Sequence, residues 1–216
     1  MASVDEVELP LEPRKVAELL TAASEKADRL EGWLHPLGFW HIKLGESRNG
    51  KVRLHIWPRA IPVRSVGDVP RVHNHAFSFS SQVIAGRVMH VPYSVSASPT
   101  GPLQTFRMKY SGASSIMVPT RQYCSIRQGR VRRYIVGDVY SMPAGAFHDA
   151  AGLEELTATI LVEGAGHGVR SIVIGHRKMV WLRKFLWQTA TKDVLRELLA
   201  GVRDRVLGAA RLEGGR

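Results

Sequence analysis

The chain has 216 residues, 44% of them hydrophobic, with 30 Lys+Arg against 19 Asp+Glu for a formal charge of +11. That length and balance suit a single domain with a sizeable core and exclude a disordered or fibrous chain. No run approaches the roughly 18 consecutive apolar residues of a membrane-spanning helix. The acidic start, Met1 to Glu6, lacks an apolar segment of the secretory kind. The single Cys124 excludes an internal disulfide framework. A cytoplasmic protein in a reducing compartment is therefore expected. The excess of positive charge favours anionic partners. No nucleic-acid motif accompanies it, so a small anionic molecule is expected rather than nucleic acid.

In chain order, residues 12–34 show helical periodicity. Val16, Leu19, Leu20, Ala23, Ala27, Leu30 and Leu34 are spaced near one helix face, and Pro13 suits a first-turn position. From Leu37 the period changes to two. Phe39–Leu44 and Val52–Trp57 read as strands joined at Asn49-Gly50, a dipeptide that favours tight hairpin turns. Short strands are then expected through Val83-Ile84, over Val88–Val95, Gln104–Tyr110, Ser115–Val118, Gln122–Arg127, Arg130–Val136, Tyr140–Met142, Leu156–Glu163 and Ser171–Ile174. Such regular punctuation by Gly and Pro indicates an all-β sandwich or barrel. After His176, the spacing of Met179, Leu182, Leu186, Val194, Leu198, Val202 and Val206 predicts C-terminal helices over 177–212. Those helices would cover the barrel or form the interface of a homodimer.

The stretch with most chemistry is Gly67 to His75. Side chains alternate along a strand, so His73 and His75 point to one side and can address one ion. About seventy residues later, Gly137 to His148 supplies a third histidine beside a Pro-x-Gly turn. We read His73, His75 and His148 as one metal site assembled from two distant segments.

These residues resemble the two motifs of the cupin superfamily, G-x5-H-x-H-x3,4-E-x6-G and G-x5-P-x-G-x2-H-x3-N. Gly67, His73, His75 and Gly86 fall on the first in register, and Gly137, Pro143, Gly145 and His148 on the second. The resemblance covers residues 38–175. It implies a mainly β, cupin-type antiparallel barrel of the jelly-roll kind, flanked by an N-terminal helix and C-terminal helices in one domain of residues 1–216. The chain departs from the motifs where Phe79 or Ser80 replaces the glutamate and Gly152 the asparagine. Three-histidine sites resemble those of the cysteine dioxygenase-like thiol dioxygenases, which use Fe(II). Asn49-Gly50-Lys51 running into Val52–Trp57 and then His73-x-His75 is similar to theirs in order. Their substrate arginine has no counterpart before Asn49, and Leu161 to Ala165 stands where they carry a Ser-His-Tyr element.

Three neutral imidazoles suit Fe(II), Zn(II) or Ni(II) and leave part of the coordination sphere open. The resemblance implies an Fe(II) oxygenase taking O2 and a small, anionic, chelating substrate. A zinc or nickel isomerase, lyase or hydrolase, or a non-catalytic ligand-binding cupin, remains open. Tyr134 and Tyr140 are candidates to donate a phenol hydrogen bond during catalysis. Arg53, His55, Arg71 and Arg107 are candidates to bind the substrate. His90 is expected to pack or face solvent, and Cys124 to serve as a small buried hydrophobe.

Overall fold

The computed structural model describes residues 4–58, 70–111, 114–166, 168–179 and 182–213. Helix α1 spans Pro13–Glu25 and is followed by strands β1 (Glu31–Leu34), β2 (Trp40–Ser47) and β3 (Gly50–Pro58). Then come β4 (Phe77–Ala85), β5 (Val88–Ala97), β6 (Leu103–Ser111), the long β7 (Ser114–Gln128), β8 (Arg132–Tyr134) and β9 (Val139–Met142). β10 (Phe147–Gly152), β11 (Leu156–Gly166), β12 (Ile172–His176), β13 (Arg183–Leu186) and β14 (Gln188–Thr189) precede helix α2 (Lys192–Glu213). No helix is long and apolar enough to cross a membrane among the described residues.

Pairing is antiparallel throughout. One sheet runs β14-β1-β2-β3-β11-β4-β9, and the other β10-β5-β7-β6-β12, with β8 on β5 and β13 on β7. The expected closed barrel is not observed; the strands form a two-sheet sandwich. The chain crosses between sheets through 183–189, where β13 joins β7 of one sheet and β14 joins β1 of the other.

Alternation along β3 explains how one sheet serves two purposes. Val52, Leu54 and Ile56 are fully buried under the helices, in a core with Leu19, Leu20, Leu195 and Leu199. Burying each such side chain stabilises by about 1.5–3 kcal/mol. The intervening Arg53, His55 and Trp57 face the space between the sheets and line a cavity of about 510 Å³.

Two expectations need correction. The N-terminal helix stops at Glu25, and residues 31–34 are strand β1. Leu30 and Leu34 still pack against the same core, so their helical spacing reflects a shared destination and not a shared helix. Among the described residues the C-terminus has one helix, beginning at Lys192, and not a pair over 177–212. Leu182 and Leu186 are exposed, while Phe185 packs on Phe106 and Met117. Period two wins there because only Phe185 has a core to enter. Ser115–Val118 and Gln122–Arg127 form one strand, β7, whose backbone turns at Arg121 with φ +60°. Gly67 and Trp181 lie outside the described residues.

Candidate metal centre

The segment 72–74 is held by both edge strands of the second sheet. His73 exchanges backbone hydrogen bonds with His148 of β10, N–H to O at 3.0 Å and 2.8 Å, and bridges Val173 of β12 on its other side. The intervening Asn74 is buried; its Oδ1 accepts from the Ile172 N–H at 2.6 Å and its Nδ2 donates to the Gly145 carbonyl. The Gly145 N–H donates in turn to the His75 carbonyl at 2.9 Å. Gly145 sits at φ +82°, a conformation that favours glycine, in the turn from Pro143 that delivers His148. Gly86 is constrained more tightly: at φ +67°, a Cβ there would lie 2.6 Å from the Leu156 carbonyl oxygen.

The result is a cluster in which one ring nitrogen each from His73, His75 and His148 lie within 4.8 Å of one another. His75 Nε2 and His148 Nε2 are 3.1 Å apart. Two imidazole nitrogens about 2.0–2.1 Å from one ion stand about 2.8–3.4 Å apart as the angle at the ion runs from about 90° to about 110°, so this pair already has a metal-binding spacing. His73 Nδ1 donates to the Arg71 carbonyl at 2.7 Å, which leaves Nε2 with its lone pair. Burial lowers the pKa of all three rings, with neighbouring histidines adding to the effect on His75 and His148. Neutral imidazoles with free lone pairs are what a divalent cation requires.

No carboxylate joins this group among the described residues. Phe79, at the motif's glutamate position, lies edge-on to the His75 ring at 5.3 Å. Asp149 follows His148 but pairs with Arg71 at 3.0 Å. Glu163 pairs with Arg53. The site residues therefore fit a divalent ion held by three neutral nitrogens.

The other candidates separate. Arg53, His55 and Tyr140 line the cavity with the three histidines; Arg71, Arg107 and Tyr134 do not. Arg71 lies on the outer side with Asp149 and the Ala150 carbonyl. Arg107 alternates with the fully buried Phe106 and lies opposite it on β6. Tyr134 stacks on Tyr140 at 4.6 Å. Burial pushes the Tyr140 hydroxyl up to about 12, so it remains a protonated donor. Cys124 is buried, and burial pushes its thiol up.

His90, expected to pack or face solvent, belongs to the site. It is buried on β5, and its Nε2 lies 3.0 Å from His148 Nδ1. In register, His148 faces Pro92 and Ala150 faces His90, so the two histidines are diagonal neighbours on one face. A period-two reading of Val88–Val95 puts His90 on a strand but cannot show which strand lies beside it. His35 and His41 also line the cavity and were not singled out from sequence.

No protein-family signature matches the chain, and no curated protein matches it closely enough to be counted a relative. Fold and site define a class: a mostly β, antiparallel sandwich with a buried three-histidine cluster, an arrangement compatible with a cupin.

Proposed function

We propose that the protein is a mononuclear non-haem Fe(II) oxygenase acting on a small, metal-chelating substrate with O2. The observation that carries this reading is the donor set: three neutral histidines and, among the described residues, no carboxylate, at a mainly apolar cavity large enough for a small molecule. His73, His75 and His148 would hold the ion. Bound there, Fe(II) supplies the redox chemistry that activates oxygen.

The chain's own residues contribute the rest. Phe77, Phe79 and Leu161 keep water from the cluster. Tyr140, protonated at neutral pH, lines the same cavity and offers a hydrogen-bond donor there. The substrate's anionic end compensates the ion's charge, which three neutral ligands leave unreduced.

A zinc or nickel enzyme that moves protons would need a base titrating near neutrality. No Asp or Glu lines the cavity among the described residues. His35 and His55, lowered to about 3 mainly by burial, are too weak for that role. The test is the metal content of protein purified without added metal, together with oxygen uptake in the presence of chelating acids. Stoichiometric iron with uptake supports the reading; tightly bound zinc with no uptake refutes it.

A further inference from the structure

The inner face of β2 and β3 carries polar side chains that the metal cluster does not use. His41 on β2 faces His55 on β3 in register, with ring centroids 5.0 Å apart. Trp57, two residues along, stands edge-on to His55 at 6.1 Å. All three line the cavity that holds the metal ligands. Yet His41 Nε2, His55 Nε2 and Trp57 Nε1 are buried with no hydrogen-bond partner among the described residues. Arg53 Nε, beside them on β3, is also buried without a partner. Unpaired buried nitrogens are costly and few in native proteins, so four on one wall, three of them uncharged, call for a reason.

The wall offers hydrogen bonds without free charge. The charges of its two cations are balanced, Lys43 by Glu31 and Arg53 by Glu163, which Arg53 meets through a terminal guanidinium nitrogen and not through Nε. Burial first, and then the Arg53 charge, holds His55 near 3, and burial likewise keeps His41 uncharged. Aromatic planes surround these groups. Phe39 lies 4.9 Å from His55 and 5.1 Å from Trp57, and Trp33 stacks on His41 at 4.4 Å.

We propose that His41, His55 and Trp57 form a second subsite of the cavity, which takes an uncharged hydrogen-bonding group, such as an amide, ring carbonyl or hydroxyl, on a flat apolar body. This rests on reading the cavity as the substrate site, and it narrows the substrate class. One end carries the chelating oxyanion and the other is polar but neutral. A second carboxylate would meet only cations already paired, and would be desolvated without compensation.

The test uses the full-length chain stripped of metal, so that carboxylates are not drawn to the histidine cluster. Benzamide, benzoate and toluene are titrated in turn while NMR follows the Trp57 indole N–H and the histidine rings. Benzamide is expected to bind at least tenfold more tightly than benzoate or toluene and to shift the Trp57 resonance. His41→Phe and His55→Phe should each weaken benzamide at least fivefold and leave toluene unchanged. Trp57→Phe, a milder change, should weaken it two- to fivefold. Benzoate binding as tightly as benzamide, or benzamide indifferent to both Trp57→Phe and His55→Phe, would overturn the proposal. Because neither metal nor oxygen enters the measurement, a protein lacking iron would defeat the oxygenase reading and leave this result standing.

Discussion

His90 Nε2 lies 3.0 Å from His148 Nδ1, directly behind the ring nitrogen that faces His75. A lone pair on His148 Nε2 requires the proton on Nδ1, which then donates to His90 Nε2. His90 thereby sets both the tautomer and the orientation of a metal ligand from the next strand. Replacing it with Phe should lower metal affinity about 10–100-fold, with the fold retained. His90→Gln, which keeps a polar partner, should recover part of that loss. Competition against a chromogenic chelator measures both, and unchanged affinity in His90→Phe would remove His90 from the site.

The buried histidines make stability depend on pH. His35 and His55 sit near 3 in the folded protein, mainly through burial, against 6.5 for an ordinary histidine. Below pH 6.5 the unfolded chain takes up protons that the folded chain refuses. Stability is therefore full above about 6.5 and falls progressively toward pH 3. Each such group contributes up to about 1.4 kcal/mol per pH unit. Urea unfolding of metal-free protein at pH 7.5 and 5.5 should show a loss of about 3 kcal/mol at the lower pH from these two rings. Equal stability would mean that the folded rings take up protons as readily as those of the unfolded chain.

Arg53 and Glu163 form a largely buried ion pair between adjacent strands, with the Arg53 guanidinium also over the Phe77 ring at 5.2 Å. Removing one partner strands the other charge. Arg53→Met should therefore cost about 3–5 kcal/mol, whereas Arg53→Met with Glu163→Leu should be close to neutral. Thermal denaturation of the two variants separates a structural pair from a free arginine available to substrate.

The C-terminal region distinguishes strand from helix by the cost of single truncations. Leu199 on α2 is fully buried, while Leu186 at the end of β13 is 77% exposed. Leu199→Ala should cost about 2–5 kcal/mol and Leu186→Ala within about 0.5 kcal/mol. Comparable losses would mean that 177–212 forms one continuous amphipathic face after all.

What could be read from the chain follows from the range of each signal. The Asn49-Gly50 hairpin and the alternation of Val52 to Trp57 are local, and both are present in the fold. The histidine spacing carried further, because the Pro143-x-Gly145 turn is short and stereochemically specific, although His73 lies in an isolated bridge and His75 ahead of β4, and not on one strand as expected. Leu30 and Leu34 misled because a periodicity records which residues are buried, not the backbone that buries them. His90 was invisible as a partner: only the β5–β10 register brings it to His148, and one sequence contains no information on register between strands 58 residues apart. The sandwich, likewise, depends on where β13 and β14 dock.

The most direct measurement is metal stoichiometry in the wild-type chain beside His73→Ala, His75→Ala and His148→Ala, each purified identically and analysed by mass spectrometry. One ion per chain in the wild type and essentially none in each variant is the expected result. Full occupancy retained in any one of the three variants would contradict a site built from these histidines.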